Sequence, residues 1–446
     1  MEEGTGCERT VRLGSDVQDD GVCRPNSTVQ TRDAVRSPEF VNAWRAVVER
    51  PLSFDEFSAL PMPQGYTPEE LWKDFSILRR YAGITFNVKP WFPCDEDVSW
   101  ASVTKQTERD LEEIAQLSAP GSFLDERLKQ PSFTVGLTSF VAQEVSAACH
   151  RDGFEISVDD ATAFLLRQRA PKTAEERAVR NVAHIWNHLD SYIERPLTIA
   201  LLDRLHEDVT ADVGDVGHLR QRMIYDESVL WTDRLSDRAF VEQTVGAAVS
   251  NAKDTGGMLD CMRSFYELSA VLWDLKYFPH FNGLVELALR WVFFSRCRRF
   301  SLAFVPFTTL SRRRRNRYDR SFTGEFKLLT ERVGMEAGLD CTLMFAGTVS
   351  TLLDGLRQIE RAVNVLAEQT RSAMRELKMN VDLNWRQKEF LALLERNSRL
   401  SFKVKNYADL FNVVRVTARA DLFDLVDKGY LSVRTVNRAA VFSRRI

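Results

Sequence analysis

The chain has 446 residues, 44% of them hydrophobic and 28% charged, a balance typical of a globular protein with two or three domains. Seven cysteines, odd in number and never in C-x-x-C spacing, argue against a disulfide framework and against a zinc ribbon. The formal net charge of −3 favours no class of partner. With no signal-peptide pattern and no run long enough to cross a bilayer, we expect a cytoplasmic protein without membrane contact.

The first 37 residues are polar and lack periodicity, which predicts a flexible N-terminal tail over residues 1–37. Residues 38–130 predict several helices separated by Pro-rich turns such as ALPMPQGYTP. From 131 to 375 the apolar spacing is helical almost throughout. The exception is LRQRMIYDESVLW at 219–231, whose β-branched and aromatic residues around a polar turn predict a short β-hairpin. The predicted fold class is mainly α.

The last segment, 380–446, predicts three helices followed by a hairpin. The third helix, within VTARADLFDLVDKGYL, has Thr417 as its predicted N-cap and Gly429 as its predicted C-cap. Helix, helix, helix and hairpin in about 65 residues is the order of a winged helix, a variant of the helix-turn-helix.

Basic residues on or beside this third helix predict contacts with DNA, although three aspartates on the same helix would repel a phosphate backbone. A packing or dimerisation module therefore remains an alternative, and a homodimer remains open. The predicted DNA-binding residues are Arg415, Thr417, Arg419 and Lys428.

Several landmarks in the right order resemble the Fic (Fido) family, from about residue 100 to the end. PLTIALLDRLHEDVTADVGDVGHLRQRMIY at 196–225 is similar to the family's helix and the Pro-Gly-x-x-Arg turn after it, with Val216 in place of Pro and Arg220 retained. MRSFYELSAVLWDLKYFPHFNG at 262–283 resembles the helix that leads into the active-site turn. VAQEVSAACHRDGFEISVDDATAFLLRQR at 141–169 resembles the family's inhibitory helix and the helix after it.

The resemblance implies transfer of AMP from ATP to a hydroxyl of a target protein. The family motif is H-x-F-x-[DE]-G-N-[GK]-R-x-x-R. Its His is the general base, its acid holds Mg²⁺, its Gly-Asn-Gly run presents backbone N–H groups to phosphate, and its arginines neutralise phosphate charge.

When the motif is placed on Asn282 and Gly283, Phe278 takes the position of the catalytic His and His280 takes that of the Phe. Asn282 replaces the acid and is a poorer ligand for Mg²⁺. When the motif is placed on His280 instead, the acid and both arginines fall on apolar residues. The sequence therefore offers no register with both the base and the phosphate cradle, because His280 and Gly283 are three apart and the motif needs five.

The second half of the motif is also altered. Leu284 and Val285 replace Asn and Gly, and Glu286 and Leu289 replace the two arginines, with Arg290 one residue late. A carboxylate about 4 Å from a phosphate charge costs on the order of 4 kcal/mol at an effective dielectric near 20. We therefore predict no binding of ATP and Mg²⁺ in the family's pose, although a displaced nucleotide pose with Arg290 and Arg220 as contacts remains an alternative.

The inhibitory pattern of the family is [ST]-x-x-x-[ED]-G, and the matching positions here are Ala148, Asp152 and Gly153. The Arg that the inhibitory acid would meet is Leu289. The sequence thus predicts an inactive member of the family with no cofactor, acting on an unknown protein partner. Two alternatives stay open, namely an active nucleotidyltransferase that uses ATP and Mg²⁺ and a winged-helix DNA-binding regulator. No metal site is predicted apart from that Mg²⁺.

Overall fold

The structure is a computed structural model that describes residues 37–87, 98–217, 237–254, 256–274, 277–311, 338–378, 382–396, 400–436 and 439–445. Three of the sequence predictions fall on other positions. The N-terminal tail over 1–36, the hairpin over 219–231 and Arg220 lie outside the described residues.

Helices make up most of the described chain, which confirms the predicted mainly α fold. The helices are α1 (Pro38–Glu49), α2 (Phe54–Ser58), α3 (Pro68–Ala82), α4 (Lys105–Leu117), α5 (Phe123–Leu128), α6 (Pro131–Gly136), α7 (Thr138–Arg151), α8 (Val158–Leu165), α9 (Ala174–Trp186), α10 (Asp190–Ile193), α11 (Ile199–Thr210), α12 (Arg238–Asn251), α13 (Met258–Asp274), α14 (Asn282–Arg296), α15 (Phe300–Ala303), α16 (Thr342–Lys378), α17 (Trp385–Arg396), α18 (Val404–Phe411) and α19 (Arg415–Asp427). Residues 307–311 are also helical.

Two small sheets accompany the helices. The first joins β1 (Ile84–Thr85), β2 (Ser99–Ala101) and β3 (Leu339–Asp340), with β2 in the centre, antiparallel to β1 and parallel to β3. The second is antiparallel and has the order β4–β6–β5, from β4 (Ser401–Lys403), β5 (Leu431–Val436) and β6 (Ala439–Arg444). The first sheet was not predicted, because strands of two or three residues carry no readable alternation.

The buried apolar side chains form three clusters. A small one lies among α1, α2 and α3, and a large one takes residues from Phe86 to Ala367, on both sides of position 130. The third joins α17, α18 and α19 to the second sheet. We call this third unit, residues 382–445, the C-terminal body.

Polar contacts attach the C-terminal body to the large cluster. The Arg167 guanidinium lies 2.6 Å from the Asp409 carboxylate, and the Asn406 side chain donates to the Leu166 carbonyl at 3.2 Å. Val135 of α6 also packs against the apolar core of the C-terminal body. This attachment leaves one side of α19 in contact with solvent.

Within the described ranges, we find no helix with the length and apolar character needed to cross a membrane. The helix at the predicted site, α14, is enclosed by protein: every residue from Asn282 to Phe294 is buried. A helix buried on all sides must satisfy its charged side chains and its terminal N–H groups with other protein groups.

Candidate functional site

The turn that leads into α14 is closed by Asn282. Its side-chain oxygen accepts a hydrogen bond from the Phe278 N–H at 2.8 Å, and its amide nitrogen donates to the Phe278 carbonyl at 2.7 Å. Both polar atoms of the Asn282 amide thus contact the backbone four residues earlier. The structure places Asn282 as a clamp of the turn, in the position where the resemblance expects a Mg²⁺ ligand.

Phe281 precedes α14 in the left-handed backbone region, with φ of 61°. This conformation costs an ordinary residue about 1–2 kcal/mol. The Phe281 ring is fully buried and lies 6.1 Å, edge to face, from the ring of Phe154. Burial of the aromatic ring offsets the backbone cost and fixes the direction in which the chain enters α14.

The first N–H groups of α14 point at the end of α7. The Gly283 N–H donates to Asp152 Oδ1 at 2.7 Å, and the Leu284 N–H donates to Asp152 Oδ2 at 2.9 Å. Asp152 is 2% exposed and follows the last residue of α7. Its carboxylate therefore occupies the anion position that the N-terminus of α14 creates.

The backbones of α7 and α14 come close together at this junction. A Cβ on Gly283 would lie 2.8 Å from the Ala148 carbonyl oxygen and 3.0 Å from Asp152 Oδ1. After Asp152, at the end of α7, the chain reverses at Gly153, which has φ of 93°. Gly283 is thus required for a close approach, and here the approaching group is another helix of the same chain.

Burial raises the pKa of the Asp152 carboxyl to about 6 from an ordinary value of 3.8. The N–H groups of Gly283 and Leu284 and the Arg151 guanidinium act in the opposite direction, and Glu286 adds to the rise. The carboxyl is ionised at pH 7, but it is held at a free-energy cost.

Two further ion pairs satisfy the charges in the fully buried part of α14. The Arg151 guanidinium lies 3.4 Å from the Glu286 carboxylate, and Glu286 is 3% exposed. One turn later, Arg290 forms an ion pair with Glu144 of α7. The Glu286 side chain is thus turned into the interior beside α7, and Arg290 is committed to a carboxylate of its own chain.

Glu144 also caps a second helix. Its carboxylate accepts hydrogen bonds from the Thr308 and Thr309 N–H groups at 3.0 Å each. The Arg290 guanidinium lies 5.6 Å from the ring of Phe307, in the same segment. The Glu144 carboxylate thus satisfies the N-terminus of the helical residues 307–311, as the Asp152 carboxylate satisfies that of α14.

His280 lies in the turn before α14, and it is half-buried. The neighbouring Phe278 ring stacks on His206 of α11 with centroids 4.0 Å apart and planes 3° apart. Burial lowers the pKa of His206, while a hydrogen bond to the His280 backbone acts to raise it. His280 therefore belongs to the packing of the turn against α11.

The structure brings Asp152, Gly153, Asn282 and Gly283 together at one junction. Arg290 lies about 10 Å further along the axis of α14. The sequence did not single out Glu144 or Arg151 as partners. The sequence indicated only that two charged residues lie in an apolar run, and that each would need an oppositely charged group elsewhere in the chain.

Among the predicted DNA-binding residues, Arg415 and Arg419 are exposed. Thr417 is not the N-cap of α19: the helix begins earlier, with Val414 in that position and no side-chain cap. The reason is that the connection between the two helices is short. Helix α18 is closed by Asn412, which has a left-handed backbone, and only two residues then remain before α19 begins.

Two of the three acidic residues of α19 are paired with other groups. Asp421 is buried and pairs with Arg386 of α17 at 2.7 Å, and it also accepts from the Tyr407 hydroxyl at 3.2 Å. Asp424 pairs with Lys428 at 2.7 Å. Lys428 is therefore engaged at the C-terminal end of α19, away from the two exposed arginines.

Among the residues that the structure describes, no three His, Cys, Asp or Glu side chains are grouped so as to hold a metal ion. Neither a scan of protein-family models nor a search of curated proteins finds a match to this chain.

Proposed function

We propose that this chain is an inactive Fic-type protein, in which the former nucleotide turn has become an internal junction between two helices. The observation that supports this most is the Asp152 carboxylate on the Gly283 and Leu284 N–H groups. Those donors are the ones that would receive a phosphate, and they are buried. A phosphate could enter only by displacing a carboxylate and separating α7 from α14.

The other replaced positions support the same proposal. Glu286 and Arg290 are both buried in ion pairs with α7, so neither is directed at a nucleotide. In this proposal ATP and Mg²⁺ are not cofactors. The chain acts through its surface, on a protein partner or on a second copy of itself.

The test is calorimetric titration of the full chain with ATP and Mg²⁺, followed by a labelled-AMP transfer assay. We expect no binding heat and no transfer for the natural protein. Asp152→Ala removes the carboxylate from the junction, and Asp237→Ala is the matched control, because Asp237 caps the exposed start of α12 through the Ala239 and Phe240 N–H groups. Clear binding and AMP transfer by the natural protein, abolished in His280→Ala, would support the active alternative instead.

A second candidate function is binding of double-stranded DNA by the C-terminal body. The positive charge of this body favours that function. Residues 382–446 hold 13 Lys and Arg against 7 Asp and Glu, whereas the whole chain has a net charge of −3. Asp421 and Asp424 are each paired with a cation, so neither presents an unpaired negative charge that would repel a phosphate. Arg415 and Arg419 are exposed to solvent. A basic face of this kind attracts phosphate.

The test of DNA binding is a salt titration of the affinity for a mixed-sequence duplex. Arg415→Ala and Arg419→Ala should weaken binding and each lower the salt slope by about one. Arg45→Ala, an exposed arginine on α1, is the matched control and should leave the slope unchanged. Equal slopes for all three variants would exclude this face as the DNA contact.

A further inference from the structure

The solvent side of α19 carries an apolar ridge beside two exposed arginines. Val416 is 79% exposed, and Val414, just before the helix, is 69% exposed. At 100° per residue, Val416 and Ala420 lie on the side opposite the buried Ala418 and Leu425. A valine exposed to this degree at the start of a helix leaves an apolar surface that a partner can cover.

The arginines lie on one side of this ridge. The Arg419 guanidinium is 5.1 Å from the ring of Phe423, and that ring packs edge to face on Phe442 of β6 at 5.3 Å. Arg419 is therefore on the hairpin side of α19, where Arg434 of β5 is also exposed. The surface thus has an apolar centre with cationic groups along one edge, and the exposed Asp427 lies on the same side of α19 about two turns beyond the end of the ridge.

Resting on the proposed DNA binding, we infer that the Val416–Ala420 ridge contacts the 5-methyl groups of thymine in the major groove. The major groove of B-DNA admits an α-helix, and the thymine methyl is the apolar group displayed there. An A-form RNA duplex has a major groove too narrow for such a helix. Arg415 and Arg419 then contact the phosphates beside the groove.

The charge of the C-terminal body selects this occupant over a protein surface. An apolar ridge alone would suit either partner, but its cationic edge and the basic excess of residues 382–446 complement a polyanion. In DNA, the methyl contacts supply sequence preference while the arginines supply affinity that does not depend on sequence.

The experiment uses the full chain and a random duplex pool, from which bound sequences are selected and recovered. Each recovered duplex is then prepared with thymine and with deoxyuridine, which lacks only the methyl group. We expect the deoxyuridine duplex to bind about fourfold more weakly for each thymine methyl that the ridge covers. This factor corresponds to ~0.8 kcal/mol for each buried group of methylene size. Val416→Ala should bring the affinity ratio of the two duplexes toward one.

Val365→Ala is the matched control, since Val365 is an exposed valine of α16, and it should keep the full ratio. No binding of the pool overturns the DNA function and the inference together. Binding with equal affinity for thymine and deoxyuridine duplexes leaves DNA binding in place and overturns the inference. A full ratio retained by Val416→Ala also overturns it, because the methyl contact would then belong to another residue.

Discussion

The Asp152 junction makes the stability of the protein depend on pH in a specified direction. Folded Asp152 has a pKa of about 6, against 3.8 for its ordinary value. Between those values the folded chain holds a proton that the unfolded chain has released. The stabilising contribution of this group is therefore complete below pH 3.8 and is lost as the pH rises through about 6.

The magnitude follows from the two pKa values. At 1.36 kcal/mol per unit, the difference between 3.8 and about 6 corresponds to about 3 kcal/mol of unfolding free energy lost between acid and neutral pH. Asp152→Asn preserves the shape of the side chain and removes its titration. Because part of this contribution is already lost at pH 4, the unfolding free energy of the variant minus that of the natural protein should rise by about 2.4 kcal/mol from pH 4 to pH 7.

The assay is urea unfolding followed by circular dichroism at several pH values, with Asp237→Asn as the control at an exposed cap. The difference for the control should stay flat across the same range. A flat difference for Asp152→Asn, or one that falls with rising pH, would refute the burial-raised pKa and would mean that the N–H groups of Gly283 and Leu284 outweigh burial. At any single pH, the variant also loses one hydrogen bond, because its amide N–H₂ faces a backbone N–H and both are donors, so only the pH trend is diagnostic.

Other substitutions test the remaining contacts. Gly283→Ala should lower the unfolding free energy by about 1–3 kcal/mol in a urea titration, since its Cβ would press on a backbone oxygen of α7, and an unchanged midpoint would contradict that close approach. Glu144→Gln should cost about 3 kcal/mol in the same assay, because it leaves the buried Arg290 charge without its carboxylate partner. Lys428→Ala should keep the salt slope of DNA binding that Arg415→Ala lowers, since Lys428 is already paired, and a lower slope would place it at the phosphates.

Local sequence determined much of the secondary structure. The apolar spacing within MRSFYELSAVLWD predicts the helix that is seen as α13, and the three C-terminal helices and the hairpin occur in the predicted order. The reason is that helical periodicity and turn residues act over a few positions of the chain. The predicted N-cap of α19, Thr417, was wrong, because the end of α18, and not a Ser or Thr side chain, determines where α19 begins.

The resemblance of the turn at 278–290 to a phosphate-binding motif came from sequence, and so did the observation that its charges are altered. From the sequence, Asp152 was linked to this turn only by the resemblance to the family. Because Leu289 replaces the arginine that the acid would meet, Asp152 was expected to have no partner there. The tertiary structure decided otherwise, because it places Asp152 on backbone N–H groups more than a hundred residues away. The contact uses no side-chain atom of those residues, and it restricts only Gly283, where a Cβ would not fit. Backbone donors are present at every residue except proline, so no sequence pattern marks which of them a carboxylate will meet.

The same limit applies to Glu144 with Arg290 and to the strands at Ile84 and Leu339. Sequence determined that the apolar run at 284–294 carries two charged residues, and therefore that each needs a partner or solvent. Only the packing of α7 against α14 decided that these partners lie inside the protein. Periodicity fixes which face of a helix is apolar, whereas the long-range arrangement of those faces fixes whether a phosphate or a carboxylate of the same chain occupies the helix terminus.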